Sequence, residues 1–488
     1  MAAPSPPATS PGLLAAGSVR LGTPQGRAVL AATVLGSGMA FLDGTVVNVA
    51  LPAISADLGS GLSGLQWILD GYLVTLSALL LLGGSLGDRF GRRRLFVLGM
   101  LGFTVASVLC GLAPGTGALV GARALQGVGA ALLVPGSLAV LAATYHPDDR
   151  ARAVGAWSGL AGVASAIGPF LGGWLIESVS WRLIFLLNVP LAAVAVAVAL
   201  RWVPESSDGA SARRLDLVGA VTVSLGLAGV AYALIEGAAG TTVDVVVAGV
   251  TGVAALAAFL LVEARTPSPM LPLGLFRSRQ FSGANAMTLA VYAALAGVTF
   301  LLVLQLQLVL GYDALEAGAA LLPITALLLV LSARAGALAQ RVGPRVPMTA
   351  GPVVVAAGLF LLAPVGPGDS YARDVLPGLT VLGLGLALVV APLTAAVLAA
   401  VEDRHVGIGS GVNNAVARVA GLLAVAVLPS VVGVDLSGGP GGSTGFARAM
   451  HLCAGLCVVG AVIAWATIRR VAPAGASVHP GSRPVRPG

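Results

Sequence analysis

Lysine is absent from this sequence, and all 27 of its basic residues are arginines. A phosphate-binding loop of the Walker type needs a lysine that reaches the phosphates, so this absence argues against an ATP-driven pump of that kind. Charged residues make up only 10% of the 488 residues and aromatic residues 5%. A chain with so little charge is not an ordinary soluble protein.

Cysteine is also scarce. The three cysteines, Cys110, Cys453 and Cys457, fall within or at the edge of apolar stretches, where a disulfide framework has no purpose. No cluster of His, Cys and carboxylate residues with metal-ligand spacing accompanies them. The sequence therefore predicts no metal site, no cofactor and no enzyme chemistry, and it leaves a membrane enzyme as the least favoured class.

Apolar sequence is abundant instead. Hydrophobic residues make up 57% of the chain, and the mean hydropathy is +0.96. A bilayer core about 30 Å thick needs roughly 20 apolar residues per helix, which divides this chain into about fourteen spans. The apolar runs are continuous and lack alternation with a period of two, so they favour helices over a barrel. We expect an all-α protein of the cell membrane that uses the lipid bilayer as its solvent.

The arginines are distributed unevenly between alternate loops. Three lie on one side, at Arg182, Arg373 and Arg448, three fall within spans, at Arg123, Arg334 and Arg418, and all the others lie on the opposite side. By the positive-inside rule, the arginine-rich side and both chain termini are cytoplasmic. The net charge of +7 therefore reports topology and does not imply binding to nucleic acid.

A polar turn between two apolar stretches is repeated along the chain. The run from Gly84 to Arg94 recurs in degraded form from Gly336 to Arg345, at an offset of 252 residues. This offset exceeds six helices by about two spans, which indicates two six-helix repeats separated by two inserted helices.

The repeat divides the chain into six parts. They are a disordered cytoplasmic tail (1–27), a first six-helix bundle (28–203), a linker with two inserted helices (204–262), a cytoplasmic segment (263–281), a second six-helix bundle (282–470) and a second disordered tail (471–488). The cytoplasmic segment is either a helix lying at the membrane interface or a plain connector.

Ionisable residues at bilayer depth are costly and mark candidate functional sites. At 1.5 Å per residue, Asp43 lies roughly 8 Å below the outer surface, and Arg123 about 9 Å below it. Because the depths match, the two side chains could pair, and a change in their distance would alter the proton affinity of Asp43. We expect a proton-coupling pair; the alternative is a permanently ionised structural pair.

Other polar residues within the spans are candidates for a central cavity. Gln126 shares a helix face with Arg123, and Asn414 and Arg418 share a stripe with Gly407 and Gly411. Asp70 is a second proton site, a contact for a cationic ligand, or an interfacial residue of the aromatic belt. The predicted cavity residues are Asp70, Tyr72, Gln126, Gln307, Asn414 and Arg418.

Two segments are predicted to change conformation. The fifth span is dense in small residues and carries Pro169, which removes one helical hydrogen bond and permits a bend. In the basic turn, glycines allow a tight reversal, and Asp88 can pair with Arg89 or Arg92 in one state and release them in another. The predicted switch residues are Gly84, Asp88, Arg89, Gly91, Arg92, Gly168, Pro169, Gly172 and Arg341.

Six motifs in order resemble the fourteen-helix drug:proton antiporter branch of the major facilitator superfamily. They are Leu42–Pro52 in the first span, Gly84–Arg93 in the basic turn, Arg123–Gly127 in the fourth span, Gly168–Gly173 in the fifth, Trp181-Arg182 with Phe185, Asn188 and Pro190 at the sixth, and Gly411–Asn414 in the thirteenth. Together they cover essentially the whole chain.

The resemblance implies export of a drug-like compound against proton entry by alternating access, powered by the proton gradient and without a cofactor. It also implies that Asp88 contacts a helix of the second half in one state, although Gln340 replaces this aspartate in the second turn. We expect a monomer that exports a small, largely apolar or cationic molecule, such as an antibiotic. The alternative is a symporter or facilitator for a metabolite, which fourteen spans and the Gly-Pro motif disfavour.

Overall fold

The computed structural model describes residues 17–207, 215–267, 269–402, 406–433 and 440–469. Fourteen helices in this part of the chain are long and apolar enough to cross a membrane. They are α1 (Pro24–Leu58), α2 (Leu62–Phe90), α3 (Arg92–Gly111), α4 (Thr116–Thr144), α5 (Pro147–Ser178), α6 (Leu183–Trp202), α7 (Leu217–Glu236), α8 (Val243–Arg265), α9 (Arg279–Val309), α10 (Ala314–Val342), α11 (Arg345–Leu362), α12 (Tyr371–Leu398), α13 (Gly407–Val432) and α14 (Thr444–Thr467). The all-α class with fourteen spans, predicted from the sequence, is confirmed.

Several spans are interrupted, which continuous apolar sequence does not reveal. Helix α6 breaks at Leu187 into a short part, Leu183–Leu186, and a longer part, Asn188–Trp202. Pro190 lies in the first turn of the longer part, where a missing N–H is tolerated. Helix α9 ends in a π-helical turn, Gln305–Val309. Helix α10 breaks at Leu321, again just before a proline. The segment after α8 forms only a short 3₁₀ turn at Leu273–Arg277 among its described residues.

The two halves pack in the same way. In the first half α4 packs on α2 and α3, and α1 packs on α5 and α6. In the second half α12 packs on α10 and α11, and α9 packs on α13 and α14. Each pairing of the first half therefore recurs eight helices later, as a duplicated bundle requires.

The inserted helices α7 and α8 form a hairpin beside both halves. They pack against each other, and α7 also packs against α2 and α13. Glu236, at the end of α7, accepts hydrogen bonds from Ser63 Oγ at 2.7 Å and from Trp67 Nε1 at 2.8 Å. These contacts attach the hairpin to the end of α2 that is remote from the arginine-rich turns.

The halves share one large apolar cluster on one side of the molecule. This cluster includes Leu51 and Ile54 of α1 together with Leu301 of α9 and Leu362 of α11. On the side of the arginine-rich turns, the fully buried residues of two further clusters, around Phe96 and around Phe281, each come from one half. There α2 and α13 still touch, with Leu81 beside Gly411. We call the side with the shared cluster the outer side, following the arginine distribution.

Candidate functional site

The carboxylate of Asp43 and the guanidinium of Arg123 meet in the interior of the first half. Arg123 Nη1 donates to Asp43 Oδ2 at 2.5 Å, and the two side chains are 1% exposed or less. Asp43 lies on α1 and Arg123 on α4, which pack against each other. The two charges compensate each other at a depth where either would be costly alone.

A buried network of amides and hydroxyls holds this pair. The amide nitrogen of Gln126 donates to Asp43 Oδ1 at 2.8 Å and to Ser107 Oγ at 2.7 Å, and its oxygen accepts from Arg123 Nη1 at 2.6 Å. Asn188 Nδ2 donates to the same Ser107 hydroxyl at 3.1 Å. Helices α1, α3, α4 and α6 therefore share one polar network. Sequence reasoning missed Ser107, because a single serine in an apolar span gives no signal.

The guanidinium of Arg123 is enclosed on its other sides. Its Nε donates to the Ile68 carbonyl at 3.0 Å, and its central carbon lies 4.4 Å from the ring centre of Tyr72 and 5.8 Å from that of Phe185. These rings give the cation additional stabilisation. Helix α2 reaches α4 closely because a Cβ atom at Gly127 would clash with the backbone of Tyr72. Tyr72 is therefore buried over Arg123, although it was predicted to line a cavity.

Asp70 is equally buried but has no comparable partner. Its side chain has no exposed surface, and neither carboxylate oxygen has a hydrogen-bond partner among the described residues. One turn earlier, Gln66 Nε2 donates to the Val425 carbonyl of α13 at 2.6 Å, and one turn later Leu73 lies beside Gly421 of α13. Asp70 therefore lies on the stripe of α2 that faces the second half.

Asn414 and Arg418 lie on the same stripe of α13 as Gly411, which is next to Leu81 of α2. Asn414 is exposed and donates only to the Ser410 carbonyl of its own helix, at 3.2 Å. Arg418 is partly exposed, and its guanidinium carbon lies 5.8 Å from the ring centre of Phe41 on α1. The contact with Phe41 places Arg418 on the side of α13 that faces the first half.

The neighbouring Asn413 connects α13 to α9 within the second half. Its amide nitrogen donates to Asn285 Oδ1 at 3.1 Å and to Thr288 Oγ1 at 2.7 Å, both on α9. The sequence analysis includes Asn413 in the motif Gly411–Asn414 but assigns it no role of its own. One position along a helix turns a side chain by about 100°, so Asn413 and Asn414 serve different neighbours.

The small residues of α5 bring it against α1. A Cβ atom at Gly168 would clash with the Thr45 hydroxyl, and one at Gly172 with the Val46 side chain. Thr45 Oγ1 donates to the Ser165 carbonyl of α5 at 2.9 Å, which strengthens the contact. Both glycines are therefore required by close packing within the first half.

The next glycine of α5 contacts the second half. A Cβ atom at Gly173 would clash with the Ala314 carbonyl oxygen of α10, and one at Gly318 of α10 would clash with the Pro169 carbonyl oxygen of α5. Backbone thus meets backbone across the outer side of the molecule. The structure places Pro169 at this seam between the halves.

Gln307 also bridges the two halves. It lies in the π-helical turn Gln305–Val309, and its amide nitrogen donates to the Val49 carbonyl of α1 at 2.9 Å. Gln305, in the same turn, donates to the Val365 carbonyl at 2.8 Å. Gln307 therefore takes part in the contact between the halves at the outer side.

The basic turn is shorter than its sequence suggests. Helix α2 continues to Phe90, so Gly84 lies within the helix, and Gly91 makes the reversal with φ +108°. Gly343, at the repeat offset, has φ +85°. A positive φ favours glycine, so the two turns share one backbone requirement. Asp88 pairs with Arg92 Nη2 at 2.7 Å within the turn.

Glu205, in the linker after α6, anchors the basic turn. Its Oε1 accepts from the backbone N–H of Arg93 at 3.1 Å, and its Oε2 lies 3.7 Å from Arg93 Nε and from Arg94 Nε. Sequence reasoning missed Glu205 because it lies more than a hundred residues away. Arg89 lies over the Phe90 ring, and Arg341 of the second turn is exposed.

Two six-helix halves with the same packing, which share an apolar cluster on one side and enclose a buried ion pair within the first half, define a membrane transporter. Within the described ranges no group of three or more His, Cys, Asp or Glu side chains could hold a metal ion. The chain belongs to the Major Facilitator Superfamily, whose family model matches residues 33–425.

The chain is similar to proteins named for drug resistance and export. It is 36% identical over 411 residues to the multidrug resistance protein Stp of Mycobacterium tuberculosis, a match that covers 84% of this chain and 76% of that protein. It is 34% identical over 401 residues to the tetracenomycin C resistance and export protein of Streptomyces glaucescens, covering 82% and 74%.

Among solved structures, a bacterial homologue of the human lysosomal transporter Spinster, in an inward-facing and unoccupied conformation, has the same fold. The TM-score is 0.65 at 17% identity, and the match covers 91% of this chain and 97% of that one.

Proposed function

We propose that this chain exports a small drug-like or antibiotic molecule in exchange for protons, by alternating access. Relatives named for multidrug resistance and for antibiotic export support the direction and the type of cargo. The observation that carries the proton coupling is the Asp43–Arg123 pair in the interior of the first half. The Asp43 carboxylate accepts one hydrogen bond from Arg123 and one from the amide of Gln126.

Protonation of Asp43 changes the balance of this network. A neutral carboxyl no longer compensates Arg123, and an uncompensated guanidinium in the membrane interior is costly. Movement of the guanidinium toward another acceptor or toward water then lowers its free energy. This movement alters the packing of α1 on α4. In the exchange cycle a proton enters Asp43 from the outer side and leaves it to the cytoplasm, while the exported molecule moves outward.

The remaining predicted residues take supporting roles in this proposal. Gly168, Pro169 and Gly172 let α5 pack closely on α1 and approach the second half at the outer side, and the seam there opens and closes. The turn with Asp88 and Arg92 forms an ion pair that holds α2 to α3 at the cytoplasmic side. The exported molecule binds between the halves, beside Asn414 and Arg418.

The coupling is tested by the Asp43→Asn variant. Asparagine keeps an oxygen that accepts from Arg123 but cannot take up and release a proton. We expect the variant to insert and fold, and to lose drug-dependent proton flux in everted vesicles by at least about tenfold. Asp57→Asn is the matched control, because Asp57 is also on α1 and pairs with Arg182 at 2.6 Å, but its side chain is 45% exposed. The control should keep its flux.

Arg123 variants sharpen this test. Arg123→Ala should be as defective as Asp43→Asn, whereas Arg123→Lys should retain part of the flux because it keeps the charge but loses the fork geometry. Full drug-dependent proton flux in Asp43→Asn would remove Asp43 from the mechanism. Drug accumulation that follows proton entry in the same direction would instead identify a symporter.

A further inference from the structure

Arg418 lies near the centre of the membrane, between the two halves. It is eleven residues after the start of α13, or about 17 Å along a helix that rises 1.5 Å per residue. The hydrocarbon core is about 30 Å thick, so this depth is close to its middle. The guanidinium points to Phe41 of the opposite half, at 5.8 Å from its ring centre.

Arg418 has no acid beside it, whereas Arg123 and Arg92 are each paired with an aspartate. Arg123 pairs with Asp43, and Arg92 with Asp88. Among the described residues no carboxylate lies within 4.0 Å of Arg418. An arginine at this depth is costly unless it meets a partner or water, and its partial exposure shows that the space beside it is open.

Two aromatic side chains of the first half border this open space. The Phe41 ring lies 6.3 Å from that of Trp157 on α5, in an edge-to-face arrangement. Trp157 is fixed because its Nε1 donates to Ser37 Oγ at 2.7 Å. Both rings are partly exposed, so they offer flat apolar surface to a ligand.

The acids of the membrane interior are unavailable to such a ligand. Asp43 is occupied by Arg123 and Gln126, and Asp70 has no exposed surface. The charge that the space between the halves presents is therefore positive. A cationic ligand would be repelled there, and an anion would supply the partner that Arg418 lacks.

We propose that Arg418 binds the carboxylate, sulfonate or ionised phenol of an aromatic substrate, whose rings lie against Phe41 and Trp157. The inference rests on the proposed export function and names its substrate class. It replaces the sequence-based expectation of an apolar or cationic substrate, because the structure shows where the accessible charge lies. Asn414, one turn before Arg418 and exposed, is placed to donate to a further oxygen of the same ligand.

Binding of two matched dyes tests this assignment. Fluorescein and rhodamine 123 share a xanthene core but carry opposite charges. With the purified full-length protein in lipid nanodiscs, fluorescence polarisation should give a dissociation constant for fluorescein at least about tenfold below that for rhodamine 123. Arg418→Gln should weaken fluorescein binding by about the same factor without weakening rhodamine 123 binding. Arg418→Lys should keep the preference for the anion.

Arg334→Gln is the matched control, because Arg334 is also within a span but is exposed on α10. This variant should bind both dyes like the wild type. The inference is overturned if the wild type does not bind fluorescein, if it binds rhodamine 123 as tightly or more tightly, or if Arg418→Gln weakens both dyes equally. A thermal unfolding curve that matches the wild type shows that Arg418→Gln is folded.

Transport separates this inference from the proposed function. In proteoliposomes with an imposed proton gradient, the wild type should move fluorescein, and Arg418→Gln should not. If charge-selective binding is present but no flux depends on the gradient, the proton exchange fails and the binding assignment stands. If gradient-driven flux is present but favours rhodamine 123, the assignment fails and the exchange stands.

Discussion

Two aspartates on neighbouring helices show how partners decide the effect of a buried charge. Asp43 and Asp70 both have no exposed surface. Asp43 accepts from Arg123 and Gln126, whereas neither oxygen of Asp70 has a hydrogen-bond partner among the described residues. Breaking a buried ion pair leaves an uncompensated charge, but removing an unpartnered polar group relieves a desolvation cost. The same substitution should therefore have opposite signs at the two positions.

We predict that Asp43→Leu destabilises the protein by about 3–5 kcal/mol, because Arg123 is left without a counter-charge. Asp70→Leu should stabilise it by about 1–3 kcal/mol, because an unpartnered carboxyl is replaced by an apolar side chain. Thermal unfolding can be followed with a thiol-reactive dye, since Cys110, Cys453 and Cys457 are buried. A lower melting temperature for Asp70→Leu than for the wild type would show that Asp70 has a stabilising partner.

At the same scale, the sequence identified the residues of the central pair better than their surroundings. Counting the helical rise gave Asp43 and Arg123 similar depths, and the structure brings them together. Depth alone does not reveal which way a side chain points. Tyr72 therefore lies over Arg123, and Asn413 rather than Asn414 bonds to α9. The roles of Asp43 and Arg123 in proton coupling, and of Tyr72 and Asn414 in substrate binding, stay predictions.

At the scale of elements, glycine decides where helices touch. Gly173 of α5 and Gly318 of α10 let two backbones meet across the halves. Apolar periodicity predicts that these spans exist, but it does not predict this contact, because it depends on which residues of two distant helices face each other. The breaks in α6 and α10 are missed for a related reason, since a run of apolar residues looks the same with or without an interruption.

We predict that Gly173→Ala and Gly318→Ala separate α5 from α10, because the new methyl group clashes with a backbone carbonyl that has no flexible side chain to move aside. Such overpacking costs about 1–3 kcal/mol. Spin labels at Glu177 and Ser370, on the outer side, should show a longer distance by double electron–electron resonance. Gly162→Ala on the same α5 is the control, because its Cβ atom would meet nothing within 4 Å. An unchanged distance in both test variants would contradict the tight seam.

For the whole molecule, the duplicated turn links sequence to architecture. Gly91 and Gly343 both reverse the chain with positive φ, 252 residues apart, and the helix pairings of the two halves repeat in the same order. The repeat offset thus predicts the number of bundles and the inserted hairpin. It does not predict that the halves share an apolar cluster on the outer side, because a repeat describes each half and not the contact between them.

The orientation of the whole molecule follows from its arginines, and we predict that both termini are cytoplasmic. A fluorescent protein fused to the C-terminus should therefore fold and fluoresce. Alkaline phosphatase is active only outside the cytoplasm, so a fusion after Trp202, at the end of α6, should be inactive, and one after Glu236, at the end of α7, should be active. The two fusions differ by one membrane span, which makes each the control for the other. The opposite pattern would place the arginine-rich turns outside, and the outer seam between α5 and α10 would then close the cytoplasmic side.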